Sequence, residues 1–193
     1  VTKAMKMVAA AKMRKAQERM EQARPYSNSL SEIIEHLLPD IDRESLTLLK
    51  VREIKRKAYV VVSADRGLAG AFNTNLLKIA QREIDEFGRE NVDIFCIGKK
   101  ARDHFKYRNY NVLESHIDFW AEMEYENAMM IGRSVIDHFI NRSVDEIHVV
   151  YNYFANIAQQ EVKSETLLPL IYDEGEYTAS DRLYEPSKKE LVE

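Results

Sequence analysis

The residues with the most chemical potential lie in a glycine loop. Ala58 to Ser63 (AYVVVS) is a short run rich in β-branched residues, and it is followed by Asp65, Arg66, Gly67, Leu68, Ala69 and Gly70. In doubly wound folds, a glycine loop between a first strand and its helix is where phosphate binds. The spacing here is G-x-x-G, however, and neither G-x-G-x-x-G nor a following G-K-[ST] is present to hold a nucleotide and magnesium. The glycines are therefore expected as turn residues, with Asp65 and Arg66 forming a local ion pair or a subunit contact. The histidines His36, His104, His116, His138 and His148 are scattered, without a pair at metal-ligand spacing. Cys96 is the only cysteine, so it forms no internal disulfide, and it falls in an apolar run as a small buried residue. No catalytic residue, cofactor site or metal site is expected.

The elements around this loop alternate in type. Residues 58–63 are expected as a buried strand, and residues 74–88 as a helix with Leu77, Ala80, Ile84 and Phe87 on one face and Gly88 ending it. Residues 92–98 (VDIFCIG) read as a second strand, 99–107 as a short helix and 110–117 as a third strand. Residues 121–141 read as a helix carrying Tyr125, Ala128, Gly132, Val135 and Phe139 along one face, where Gly132 would allow close packing on a sheet. Residues 145–152 (DEIHVVYN) are a fourth strand, and residues 159–171 add an edge strand, with Pro169 favouring the edge. The fold class is α/β: a Rossmann-like, mostly parallel, doubly wound sheet covered on both sides.

Ahead of this domain, Met13, Ala16, Met20, Ala23, Ser27, Leu30, Ile34 and Leu37 recur at alternating intervals of three and four, the seam of a coiled coil. No glycine interrupts residues 1–38, which predicts a single helix of roughly 55 Å with Pro25 as its kink. The net charge of −4 conceals an asymmetry: residues 1–24 carry a charge of +5 and the remainder −9. Such a rod should face acidic partners. A basic region followed by heptads also marks DNA-binding zippers, but Ala, Met and Ser occupy positions where a dimerising zipper needs Leu and Ile, so no nucleic acid partner is expected. The apolar runs fall far short of a membrane span, and no direct membrane insertion is expected. Three segments follow: residues 1–57 as shaft helix and link, 58–186 as the α/β domain, and 187–193 as the start of a second helix. That start is marked by the capping box Ser187, Lys188, Lys189, Glu190. The expectation is a shortened chain, lacking both the second long helix that would partner the seam and whatever precedes Val1.

Thr2 to Gln17 (TKAMKMVAAAKMRKAQ), Ser63 to Asn75 (SADRGLAGAFNTN) and Leu183 to Pro186 (LYEP) resemble the gamma subunits of F-type ATP synthases. The resemblance runs in register over nearly the whole chain. It implies the F1 central stalk: a non-catalytic rotor carrying torque between a proton-driven c-ring and a catalytic alpha/beta hexamer, with the alpha, beta and epsilon subunits and the membrane c-ring as partners. It implies a peripheral membrane location on the cytoplasmic face of a bacterial inner membrane. It also implies that Lys3, Met5 and Lys6 lie beside an acidic loop of a beta subunit. The alternative left by the residues alone is an orphan Rossmann-like nucleotide-binding module or enzyme.

Overall fold

A computed structural model describes residues 2–37, 46–67, 69–118, 120, 125–156 and 159–171, with the backbone alone described at residues 2 and 35–37. The expected capping box at 187–190 and the LYEP motif lie outside these residues, as does the side chain of the seam residue Leu37. The elements are helix α1 (Thr2–Leu37), strand β1 (Lys57–Val62), helix α2 (Phe72–Phe87), β2 (Val92–Ile97), α3 (Lys99–Tyr107), β3 (Val112–His116), α4 (Tyr125–Ile140), β4 (Glu146–Phe154) and β5 (Gln160–Leu168). Helix α1 runs through Pro25 without a break. Residues Leu46–Ile171 form a compact unit of their own.

The sheet has the order β3-β2-β1-β4-β5; β1 to β4 are mutually parallel and β5 is antiparallel to β4. Both faces of β1 and β2 are covered, which explains why their sequences are apolar without alternation. Tyr59, Val61, Ile94 and Cys96 pack with Leu76, Leu77, Ala80 and Ile84 of α2 and Phe105 of α3. The alternate residues Ala58, Val60, Phe95 and Ile97 pack with Ile131, Val135 and Phe139 of α4. The period-two geometry of the strand thus divides one apolar run between two cores. Burial pushes the Cys96 thiol up to about 12, which suits a small core residue and not a reactive one.

Helix α4 packs differently from the expected face. Its buried stripe is Ile131, Val135 and Phe139, while Tyr125 is 66% exposed and a Cβ at Gly132 would meet nothing within 4 Å. Gly132 is therefore not a close-packing position, because the row carrying the larger side chain, Ile131, turns inward. Helix α2 ends as expected at Gly88, whose φ of 109° is open to glycine and whose amide closes the last turn on the Ile84 carbonyl at 3.0 Å.

Much of the polar stretch before β1 is part of the body. Leu49 is 1% exposed, and the Arg52 guanidinium lies 4.4 Å from the Phe139 ring centroid and donates to the Phe139 carbonyl. The Asp145 carboxylate accepts the amides of Lys55 and Arg56 at 2.9 and 3.0 Å. Buried Asp93 accepts from Arg56 at 2.8 Å and from Asn111 at 2.6 Å, so its charge is paired and hydrogen-bonded.

At the start of β4, the Glu146 carboxylate meets Lys57 at 2.7 Å and His148 at 2.5 Å. Burial alone would push the Glu146 carboxyl up, but the hydrogen bonds and charges of Lys57 and His148 outweigh it and hold the carboxyl below its ordinary value of 4.5. A carboxyl depressed on folding stabilises the fold above its unfolded value and loses that contribution as pH falls through the folded one. Glu146→Gln is expected to destabilise the chain at pH 6 by about 1–2 kcal/mol. The gap between variant and parent should shrink as pH falls below 4.5, read in urea-denaturation midpoints.

Candidate functional site

Two regions carry the residues singled out by the sequence: the exposed helix α1 and the loop edge that follows β1. On α1, Lys3, Met5 and Lys6 are exposed, with Met5 at 67%. Of the seam, Met13, Ala16, Ala23, Ser27 and Leu30 are exposed, while Met20 and Ile34 are half-buried. Met7, Val8 and Ile33 add further exposed apolar side chains. A helix with this much exposed apolar surface is built to be covered, because each large aliphatic side chain contributes about 1.5–3 kcal/mol only when buried. The Arg14–Glu18 pair at 3.0 Å has both side chains in solvent and contributes little. Lys3, Met5 and Lys6 thus share one helical turn, separate from the seam further along α1.

The glycine loop is organised by hydrogen bonds to the elements around it. Asp65 Oδ1 accepts the Lys99 amide at 2.7 Å, and its Oδ2 accepts the Asp118 amide at 2.9 Å. The next amides of α3 are also taken: Lys100 donates to the Ala64 carbonyl at 3.1 Å and Ala101 to Ser63 Oγ at 2.8 Å. Asp65 is therefore not an ion-pair partner of Arg66 as expected; its carboxylate caps the first turn of α3, where the helix dipole favours a negative charge. On the other side of the loop, Asn73 accepts the Ala64 amide through Oδ1 at 3.0 Å and donates to the Arg66 carbonyl through Nδ2 at 3.4 Å.

Gly98 sets how close these parts lie. Its φ is +97°, and a Cβ there would sit 2.1 Å from the Ser63 carbonyl oxygen. The Ser63 amide donates to the Ile97 carbonyl at 2.7 Å, and the Gly98 amide to the His116 carbonyl at 2.7 Å, so the ends of β1, β2 and β3 are stitched together at this point. Sequence reasoning missed Asn73, Gly98 and Ser63 as organising residues. The signals were a glycine ending an apolar strand and an asparagine just after the glycine loop. Among the described residues no group of three or more His, Cys, Asp and Glu side chains could hold a metal ion. In short, this edge is a set of internal clamps.

The family model for ATP synthase matches residues 1–193. The ATP synthase gamma chain of Amoebophilus asiaticus is 37% identical over 199 residues, covering 100% of this chain and 69% of its own length. The ATP synthase gamma chain of Prosthecochloris aestuarii is 38% identical over 200 residues, covering 100% and 68%. The central stalk/c-ring structure of Tetrahymena thermophila mitochondrial ATP synthase superposes on 87% of this chain and 72% of its own, with a TM-score of 0.72 and 24% identity. The rotor of Euglena gracilis mitochondrial ATP synthase superposes on 86% of this chain and 56% of its own, with a TM-score of 0.59 and 24% identity. At those identities the structural matches bear on the fold.

Gly98→Ala is expected to cost about 3 kcal/mol or more, since both the dihedral and the backbone contact oppose a side chain. Asp65→Ala should cost about 1–3 kcal/mol by leaving the Lys99 and Asp118 amides without their acceptor. Equilibrium urea unfolding of the two variants beside the parent checks both, and an unchanged midpoint for Gly98→Ala would show that the sheet edges do not lie this close.

Proposed function

Because this chain belongs to the family of ATP synthase gamma chains, we propose that it is the central-stalk rotor subunit of an F-type ATP synthase, carrying torque between a proton-driven c-ring and the alpha/beta hexamer. The observation that carries this reading is the match of relatives named ATP synthase gamma chain across all of the chain. The exposed apolar surface of α1 supports it, since a shaft helix needs partners along its length. The Tetrahymena structure joins a central stalk to a c-ring, and the same partner is proposed here, together with the alpha, beta and epsilon subunits.

In this reading the chain is non-catalytic and the ATP chemistry resides in the beta subunits. The G-x-x-G spacing of the loop, without a following G-K-[ST], supports that division. The rotor works at the cytoplasmic face of a bacterial inner membrane as a peripheral subunit. No helix among the described residues is long and apolar enough to cross a membrane. The Lys3, Met5 and Lys6 turn is the proposed contact with the acidic loop of a beta subunit. Two ammonium groups beside carboxylates give an attraction that rises and falls as the shaft turns past each beta subunit, while Ala9, Ala10 and Ala11 keep the neighbouring surface small enough to slide. The seam from Met13 to Leu37 is the proposed coiled-coil contact.

The test is assembly followed by turnover. The chain, combined with its alpha and beta subunits, is expected to co-purify as one complex that hydrolyses ATP. Lys3→Glu/Lys6→Glu should leave the complex intact and lower the maximal hydrolysis rate by about tenfold, corresponding to about 1.4 kcal/mol lost from the charged contact. An intact complex with an unchanged rate would remove Lys3 and Lys6 from the contact. Failure of the parent chain to enter competent alpha/beta complexes would overturn the rotor reading itself.

A further inference from the structure

We propose that residues 46–56, the stretch leading into β1, are a mechanical strap that carries load between α1 and the body, with Arg52 as its main anchor. The body spans Leu46–Ile171, so load passing along the chain from α1 enters it at Leu46. Between that point and β1 the chain adds no strand to the sheet. It is held instead by side chains and by single backbone bonds.

Three fastenings follow one another before β1. A single 3-10 turn at Thr47–Leu49 buries Leu49, and Leu48 packs on the apolar cluster beneath α4. Next, the Arg52 guanidinium lies over the Phe139 ring while one of its nitrogens donates to the carbonyls of Phe139 at 3.1 Å and Val144 at 3.5 Å. These carbonyls flank the end of α4, where the helix dipole favours a cation, and a planar guanidinium can stack and donate at once. Last, Asp145 and Arg56 exchange bonds. The Asp145 carboxylate takes the Lys55 and Arg56 amides, and the Asp145 amide donates to the Arg56 carbonyl at 2.8 Å. A pull at Leu46 therefore meets all three fastenings before it reaches the β1 ladder.

The outgoing chain is tied to the same strap. One residue before the body ends, the Leu170 amide donates to the Leu48 carbonyl at 2.9 Å, and Leu170 packs with Leu48 on the same cluster. Entry and exit are thus joined to each other and to α4. Without these bonds the load would fall directly on the end of β1. The load-bearing role rests on the rotor reading; the fastening itself does not.

The test is Arg52→Ala beside Arg52→Lys, whose ammonium keeps a donor for the α4 carbonyls. In the full chain, Arg52→Ala is expected to speed hydrogen exchange at the Lys50 and Leu170 amides by about tenfold, with the Val60 and Phe95 amides unchanged. In the complex with alpha and beta subunits alone, which turns without load, ATP hydrolysis should change by less than about twofold. In the membrane-bound complex with its c-ring, protons pumped per ATP should fall by about twofold or more in Arg52→Ala and recover in Arg52→Lys, because a peeling strap lets the shaft turn ahead of the body. Unchanged exchange at Leu170 would overturn the strap. Parental pumping by an assembled Arg52→Ala complex would overturn its load-bearing role, as would an equal loss of unloaded hydrolysis, which marks general damage to the fold. A parent chain that enters no complex overturns the rotor reading, and the load-bearing role with it, while the exchange result still decides the strap.

Discussion

The Asp65 carboxylate holds three separate parts of the body together: the loop after β1, the first turn of α3 and the backbone that follows β3. Each bond is a charged acceptor meeting a backbone amide, the stronger class of hydrogen bond. Around it, Gly98 permits the β2 end to touch the Ser63 carbonyl, and Asn73 ties the far side of the loop to Ala64 and Arg66. The result is a sheet edge in which the ends of β1, β2 and β3 are tied together.

The helix α1 obeys the opposite logic. The body buries its apolar strands on both faces, whereas α1 leaves Met5, Met7, Val8, Met13, Leu30 and Ile33 in solvent. Its first 24 residues also concentrate the chain's positive charge, +5 against −9 elsewhere. Burial of apolar surface is the larger energy and sets where partners pack, and the charge sets which partners approach and at what rate. The family of ATP synthase gamma chains accounts for both features in one arrangement, a shaft that must be enclosed and yet turn.

The order of strands and helices was legible because β1 and β2 are continuous apolar runs flanked by turn residues, and Gly88 and Pro169 punctuate the chain where the structure ends a helix and an edge strand. Helix α4 was legible in extent but not in orientation. Val135 and Phe139 belong equally to a row through Gly132 and a row through Ile131, and only the sheet beneath selects the bulkier one. Asp65's partners were not readable, because Lys99 and Asp118 lie 34 and 53 residues away in sequence and meet it only through the parallel crossover geometry. For the same reason Gly98 carried no signal beyond its place at the end of a strand: its contact is with Ser63, across the sheet.

The central claim is that the N-terminal turn of α1 moves past beta subunits during turnover. Met5→Cys places one accessible thiol on that turn, and the native Cys96 is buried with its thiol pushed up to about 12, so it stays silent. The measurement is ATP hydrolysis by the assembled complex before and after a reducible cross-link from this thiol to a beta subunit. A rotor requires that the cross-link form with a single beta subunit per complex, stop hydrolysis, and release it on reduction. Full hydrolysis with the cross-link in place would show that this turn is stationary against beta and would contradict the account.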